Sequence, residues 1–91
     1  VVEIKDDKMV ATLFPNPANG RIHLQLSGIT MQMYNLKIFN VLGQEILEIN
    51  DSFRADEPYE IPLTFWNSGT YFLRISDENG KIMQVLTFQK K

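Results

Sequence analysis

The chain has 91 residues, 44% hydrophobic and 22% charged, with a net charge of −2 and no cysteine. This describes one small globular domain, able to bury about 60–65% of its unfolded surface around a single core. The charge balance argues against a nucleic-acid partner, which needs a basic face, and the missing thiols exclude disulfides and thiolate sites while suiting oxidising and reducing compartments alike.

Residues 1–8 carry Glu3, Lys5, Asp6, Asp7 and Lys8 and read as a solvated linker; the start at Val1-Val2 rather than Met suggests a piece of a longer protein. Met9 to Leu13 is a short run that stops at Phe14-Pro15-Asn16-Pro17-Ala18-Asn19-Gly20. Two prolines one residue apart forbid helix and interior strand, because each fixes φ and removes a backbone donor. Asn19-Gly20 then offers a positive-φ turn. Arg21 to Ser27 alternates, with Ile22, Leu24 and Leu26 opposed to His23, Gln25 and Ser27, and Gly28 ends it. Met33 to Phe39 is a second alternating run. It ends at Asn40, turns through Gly43 and leaves by Gln44 into a strand from Glu45 to Ile49.

Farther along, Tyr59, Ile61, Leu63 and Phe65 alternate with polar positions, and Pro62 marks that strand as edge or bulged. Gly69 turns the chain into Thr70 to Ser76, with Tyr71, Leu73 and Ile75 inward and Phe72, Arg74 and Ser76 outward. An Asp77-Glu78-Asn79-Gly80 turn leads to the last strand, Ile82 to Phe88, beyond which Lys90 and Lys91 are expected to stay free in water. About seven short strands with half-apolar alternation make an all-β, antiparallel β-sandwich or small barrel. The expected core is Ile22, Leu24, Leu26, Leu36, Ile38, Ile46, Ile61, Leu63, Tyr71, Leu73, Ile75, Leu86 and Phe88. Gly20, Gly43 and Gly69 are expected in turns, at least two of them with positive φ. No apolar run approaches the ~18–20 residues of a membrane helix, and no signal peptide or integral membrane segment is expected.

Chemistry is sparse. His23 is the only histidine, it alternates with apolar neighbours, and it lacks the partners that a metal site or a Ser-His-acid relay needs. Asp6-Asp7 and Asp77-Glu78 read as solvated linker and turn residues. Asn50-Asp51-Ser52 matches the glycosylation sequon, a tripeptide common by chance. Trp66 has two readings: a sugar-stacking platform with Tyr59 or Tyr34, or, favoured here, a ring folded back over the open end of the sandwich. Neither enzymatic activity nor a cofactor or metal is expected.

Three segments in order carry a resemblance. They are the opening Pro15-Asn16-Pro17 with Gly20, the centre Ile38-Phe39-Asn40-Val41-Leu42-Gly43-Gln44, and Leu63 to Ile75 with Gly69 and Tyr71, followed by a terminal strand ending in Lys90-Lys91. In this order they resemble the type A C-terminal sorting domain of type IX secretion, over residues 12–91, with residues 1–11 as the linker from a cargo. Departures are Trp66 in place of a small aliphatic residue, Phe39 where Tyr is commoner, and Gln84-Val85 where a basic residue is often seen. The resemblance implies an immunoglobulin-like sandwich that catalyses nothing. It implies a signal that carries a covalently linked N-terminal cargo through the periplasm of a Gram-negative bacterium to the type IX translocon. A sortase-like cysteine protease then removes the domain, leaving the cargo secreted or at the cell surface. Pro15, Asn16, Pro17, Gly20, Asn40, Gly43, Gln44, Gly69, Tyr71, Lys90 and Lys91 are the recognition or structural residues the resemblance marks. The alternative from another class is a carbohydrate-binding or adhesion module on the same kind of sandwich.

Overall fold

The computed structural model describes residues 9–91 and contains seven strands and no helix among them. They are β1 (Val10–Phe14), β2 (Arg21–Ser27), β3 (Gln32–Asn40), β4 (Glu45–Phe53), β5 (Tyr59–Pro62), β6 (Gly69–Asp77) and β7 (Ile82–Lys90). The acidic pair Asp6-Asp7 and most of the linker lie outside the described residues. β1, β2 and β5 form one sheet in the order β1-β2-β5, and the other runs β4-β3-β6-β7; every strand pairing is antiparallel. The neighbour sequences β1-β2-β5 and β3-β6-β7 are those of A-B-E and C-F-G in immunoglobulin-type sandwiches.

Alternation places the core. Ile22, Leu24 and Leu26 of β2 and Ile61 of β5 face Leu36 and Ile38 of β3 and Leu73 and Ile75 of β6, all essentially without solvent contact. Burying a side chain of this size contributes about 1.5–3 kcal/mol, so these positions hold the sheets together. Pro62 lies at the end of β5, an edge strand, where its missing N–H leaves no gap in a ladder.

Several expectations are corrected. Ile46 is 41% exposed and outside the core, because the β3–β4 register shifts: Ile38 pairs with Leu47 and Phe39 with Glu45, leaving Ile46 as the extra residue of a bulge. Leu47 and Ile49 take the inward positions instead. Ser76, which alternation had placed outward, is buried; it lies beside a second register shift, where Ile75 pairs with Gln84 and Ser76 with Ile82, leaving Met83 of β7 as the extra residue. Leu86 is half-buried, as befits edge strand β7. Phe65 is 99% exposed with φ of 70°, since β5 has ended and the chain is turning. β4 runs to Phe53 rather than Ile49, so the sequon tripeptide lies within a strand. Met9, Ala18, Tyr34 and Phe53 join the core unforeseen.

Candidate functional site

The topology gathers the three motif segments at one end of the sandwich. Asn40 at the end of β3 pairs with Tyr71 near the start of β6, and Tyr71 pairs with Phe88 near the end of β7. Gly69 pairs with Lys90, and Lys90 bridges to Ala18 in the proline corner. The corner reaches β5 as well, for the Leu63 N–H donates to the Gly20 carbonyl at 2.9 Å. Met9, where the described chain begins, is at the opposite end: Val10 pairs with Ser27, the last residue of β2, and the Met9 carbonyl accepts from Gln84 Nε2 at 2.9 Å.

The proline corner acts as a clamp on the last strand. Asn16 Oδ1 accepts from the Gln89 N–H at 3.0 Å, the Ala18 N–H donates to the Gln89 carbonyl at 2.7 Å, and the Lys91 N–H donates to the Ala18 carbonyl at 2.8 Å. Ala18 is fully buried in this seam. Pro15 and Pro17 cannot extend β1, so the chain leaves its sheet and crosses to the edge of the other one. This corrects the expectation for the C-terminus: Lys91 is bound through its backbone, and Lys90 is half-buried within β7. Lys90 Nζ donates to the Lys91 carbonyl at 2.7 Å. Gly20 is not among the positive-φ residues, and a Cβ there would meet nothing within 4 Å. The prolines, rather than the Asn-Gly pair, shape this turn.

The centre motif is a closed set of hydrogen bonds around one side chain. Asn40 Oδ1 accepts from the N–H groups of Leu42 and Gln44 at 2.9 and 3.0 Å, and its Nδ2 donates to Gln44 Oε1 at 2.7 Å. The Asn40 N–H also donates to the Gln44 carbonyl, and the Gly43 N–H to the Asn40 carbonyl. Closing so short a loop needs the left-handed conformation, which Gly43 supplies with φ of 82°. Of the three expected turn glycines, Gly43 and Gly69 (φ 151°) have positive φ.

Tyr71 anchors the third motif. Its hydroxyl donates to the Asn67 carbonyl at 2.7 Å, four residues upstream, as in a tyrosine corner. The ring lies 5.1 Å from Trp66 and 5.6 Å from Phe88 between centroids. Trp66 thus folds back against the core from a half-buried position, as favoured above. His23 projects from the outer face of its sheet, stacked on Phe14 at 5.4 Å. Asp77 Oδ1 accepts from the N–H groups of Asn79 and Lys81, the solvated turn chemistry expected of that pair.

The family of secretion system C-terminal sorting domains matches residues 12–89 of the chain. The chain belongs to that family and is a type IX secretion C-terminal sorting signal, a class of domain that is typically non-catalytic. No curated protein matches it. Membership entails engagement with the type IX machinery and export to the cell surface or beyond, and no helix among the described residues is long and apolar enough to cross a membrane.

Proposed function

We propose that residues 12–91 are read in the folded state by the type IX translocon. Residues 1–11 lead in from a covalently linked N-terminal cargo, their last three laid into the sandwich. The reading rests on the convergence of the three motif segments and the terminal strand at one end, opposite the point where the chain comes in. Pro15, Asn16, Pro17, Gly20, Asn40, Gly43, Gln44, Gly69 and Tyr71 build and hold that end; Lys90 and Lys91 complete it. The cargo crosses the periplasm with the domain attached, and a sortase-like cysteine protease then separates the two, leaving the cargo secreted or on the surface. The domain itself supplies no reacting group to that cleavage.

The test is a fusion of residues 1–91 to the C-terminus of a neutral periplasmic reporter in a type IX-competent host. The reporter is expected outside the outer membrane, shortened by the mass of the domain, and confined to the periplasm in a strain lacking the translocon. Retention in the periplasm of the competent host overturns the sorting role. Export with the domain still attached overturns the cleavage step alone.

A further inference from the structure

The outer face of the four-stranded sheet, beside the Asn40–Gly43 turn, carries an apolar groove with a single cation in it. Phe39, Val41, Phe72 and Val85 line a shallow space of about 380 Å³ around Arg74. Val41 and Val85 are 65% and 57% exposed, high for aliphatic side chains that lie together. Cross-strand register explains the assembly: Phe39 pairs with Phe72, and Arg74 pairs with both Lys37 and Val85. From this diagonal position the Arg74 guanidinium lies over the Phe39 ring, 5.1 Å from its centroid.

Arg74 is incompletely satisfied. Its Nε is buried and has no hydrogen-bond partner among the described residues, and no carboxylate pairs with it there. The neighbouring Lys37 is already engaged, 3.6 Å from Glu45. Nε is closed off from solvent, so an arriving acceptor meets the terminal Nη donors of the guanidinium, which no carboxylate among the described residues engages. A guanidinium fork matches a carboxylate in two parallel hydrogen bonds, and the surrounding valines and phenylalanines match apolar side chains.

We propose that this groove docks an extended peptide segment of the secretion machinery in which one carboxylate side chain is flanked by apolar ones. The partner's identity rests on the sorting role above; the chemistry of the groove does not. A phosphate-bearing headgroup fits less well, because its several negative charges would find one uncommitted cation in an apolar surround.

Two experiments separate the claims. Isotope-labelled protein of residues 1–91 is titrated with N-acetyl-Leu-Glu-Leu-amide and with its Gln counterpart, following backbone amide shifts. Perturbations centred on Phe39, Val41, Phe72, Arg74 and Val85 are expected, with the Gln peptide about tenfold weaker. Arg74→Gln is expected to make the two peptides equivalent. No perturbation in the groove, equal response of the native protein to both peptides, or stronger response to vesicles of anionic phospholipid overturns the proposal. The peptide comparison on the native protein decides this even where Arg74→Gln unfolds. In the export assay, an Arg74→Gln fusion that retains the native unfolding midpoint is expected to fall about tenfold in secreted reporter. Normal export of that variant overturns the groove as a docking site while leaving the sorting role intact; failure of the unsubstituted fusion overturns the sorting role and leaves the titration to decide the groove.

Discussion

At the residue scale, Asn40 and Gly43 show why a short polar motif holds its shape in water. Asn40 satisfies three groups of its own turn with one amide, and Gly43 alone adopts the φ that brings them together. Asn40→Ala is expected to cost about 1–2 kcal/mol, and Gly43→Ala about 1 kcal/mol. Gly20→Ala, at a position with open space and no positive φ, is expected within about 0.5 kcal/mol of the native chain. Urea unfolding of the three variants checks the ranking; a Gly20 effect as large as that of Gly43 contradicts it. Tyr59 makes a pH prediction. Burial first, then its hydrogen bond and charge contact with Asp51, push its hydroxyl above the usual 10.0. A pKa raised on folding contributes stability that is complete below the unfolded value and disappears as pH climbs through the folded one. Stability is therefore expected to fall above about pH 10, with a shallower decline in Tyr59→Phe, measured by chemical unfolding across the alkaline range.

At the element scale, the sheet edges are handled by different means. β5 is four residues long and ends in Pro62; β4 presents Glu45, Glu48 and Asp51; β7 is covered at its C-terminal end by the proline corner. Short length, proline and charge all discourage pairing with a stray strand. The clamp predicts a contrast between side chain and backbone. Lys90→Ala with Lys91→Ala keeps every backbone bond and is expected to change stability by less than about 0.5 kcal/mol, whereas deleting both residues is expected to cost about 1–2 kcal/mol. Thermal unfolding distinguishes them, and equal midpoints for the two variants contradict the clamp. Most strands were legible because Ile22, Leu24 and Leu26 alternate without interruption against His23, Gln25 and Ser27, and Tyr71, Leu73 and Ile75 keep the same two-residue period. Ile46 was not, since a bulge inserts one residue into β4 and shifts its period, and Ser76 was not, since it lies opposite a bulge whose extra residue, Met83, is on β7; single-chain alternation carries no mark of either. The polar half of β4 was missed for a related reason: an edge strand needs little apolar pattern to pair with β3.

At the scale of the whole molecule, local turn chemistry announced each motif, whereas their convergence depended on strand order across two sheets. Pairings such as Ala18 with Lys90 join residues far apart in sequence, and no periodicity encodes them. The groove around Arg74 was hidden likewise, because Phe39, Phe72 and Val85 come from three strands. The two ends of the sandwich have different duties under the proposed function. A reporter joined ahead of Val1 hangs from the end where Met9 is held, and one joined after Lys91 crowds the motif end. The second fusion is expected to fold, by circular dichroism, and to remain in the periplasm of a competent host. Export of both at equal levels argues that the motif end is not what the machinery approaches.

The clamp also has a meaning in the order of synthesis. Asn16 and Ala18 leave the ribosome long before Gln89 and Lys91, yet their bonds to this seam form only with those later residues. Without Gln89 and Lys91 the corner has nothing to hold, and β7 has an open edge. The seam thus makes the shape of the motif end conditional on residues 89–91 being in place, so that the address is legible only once both of its distant halves have met.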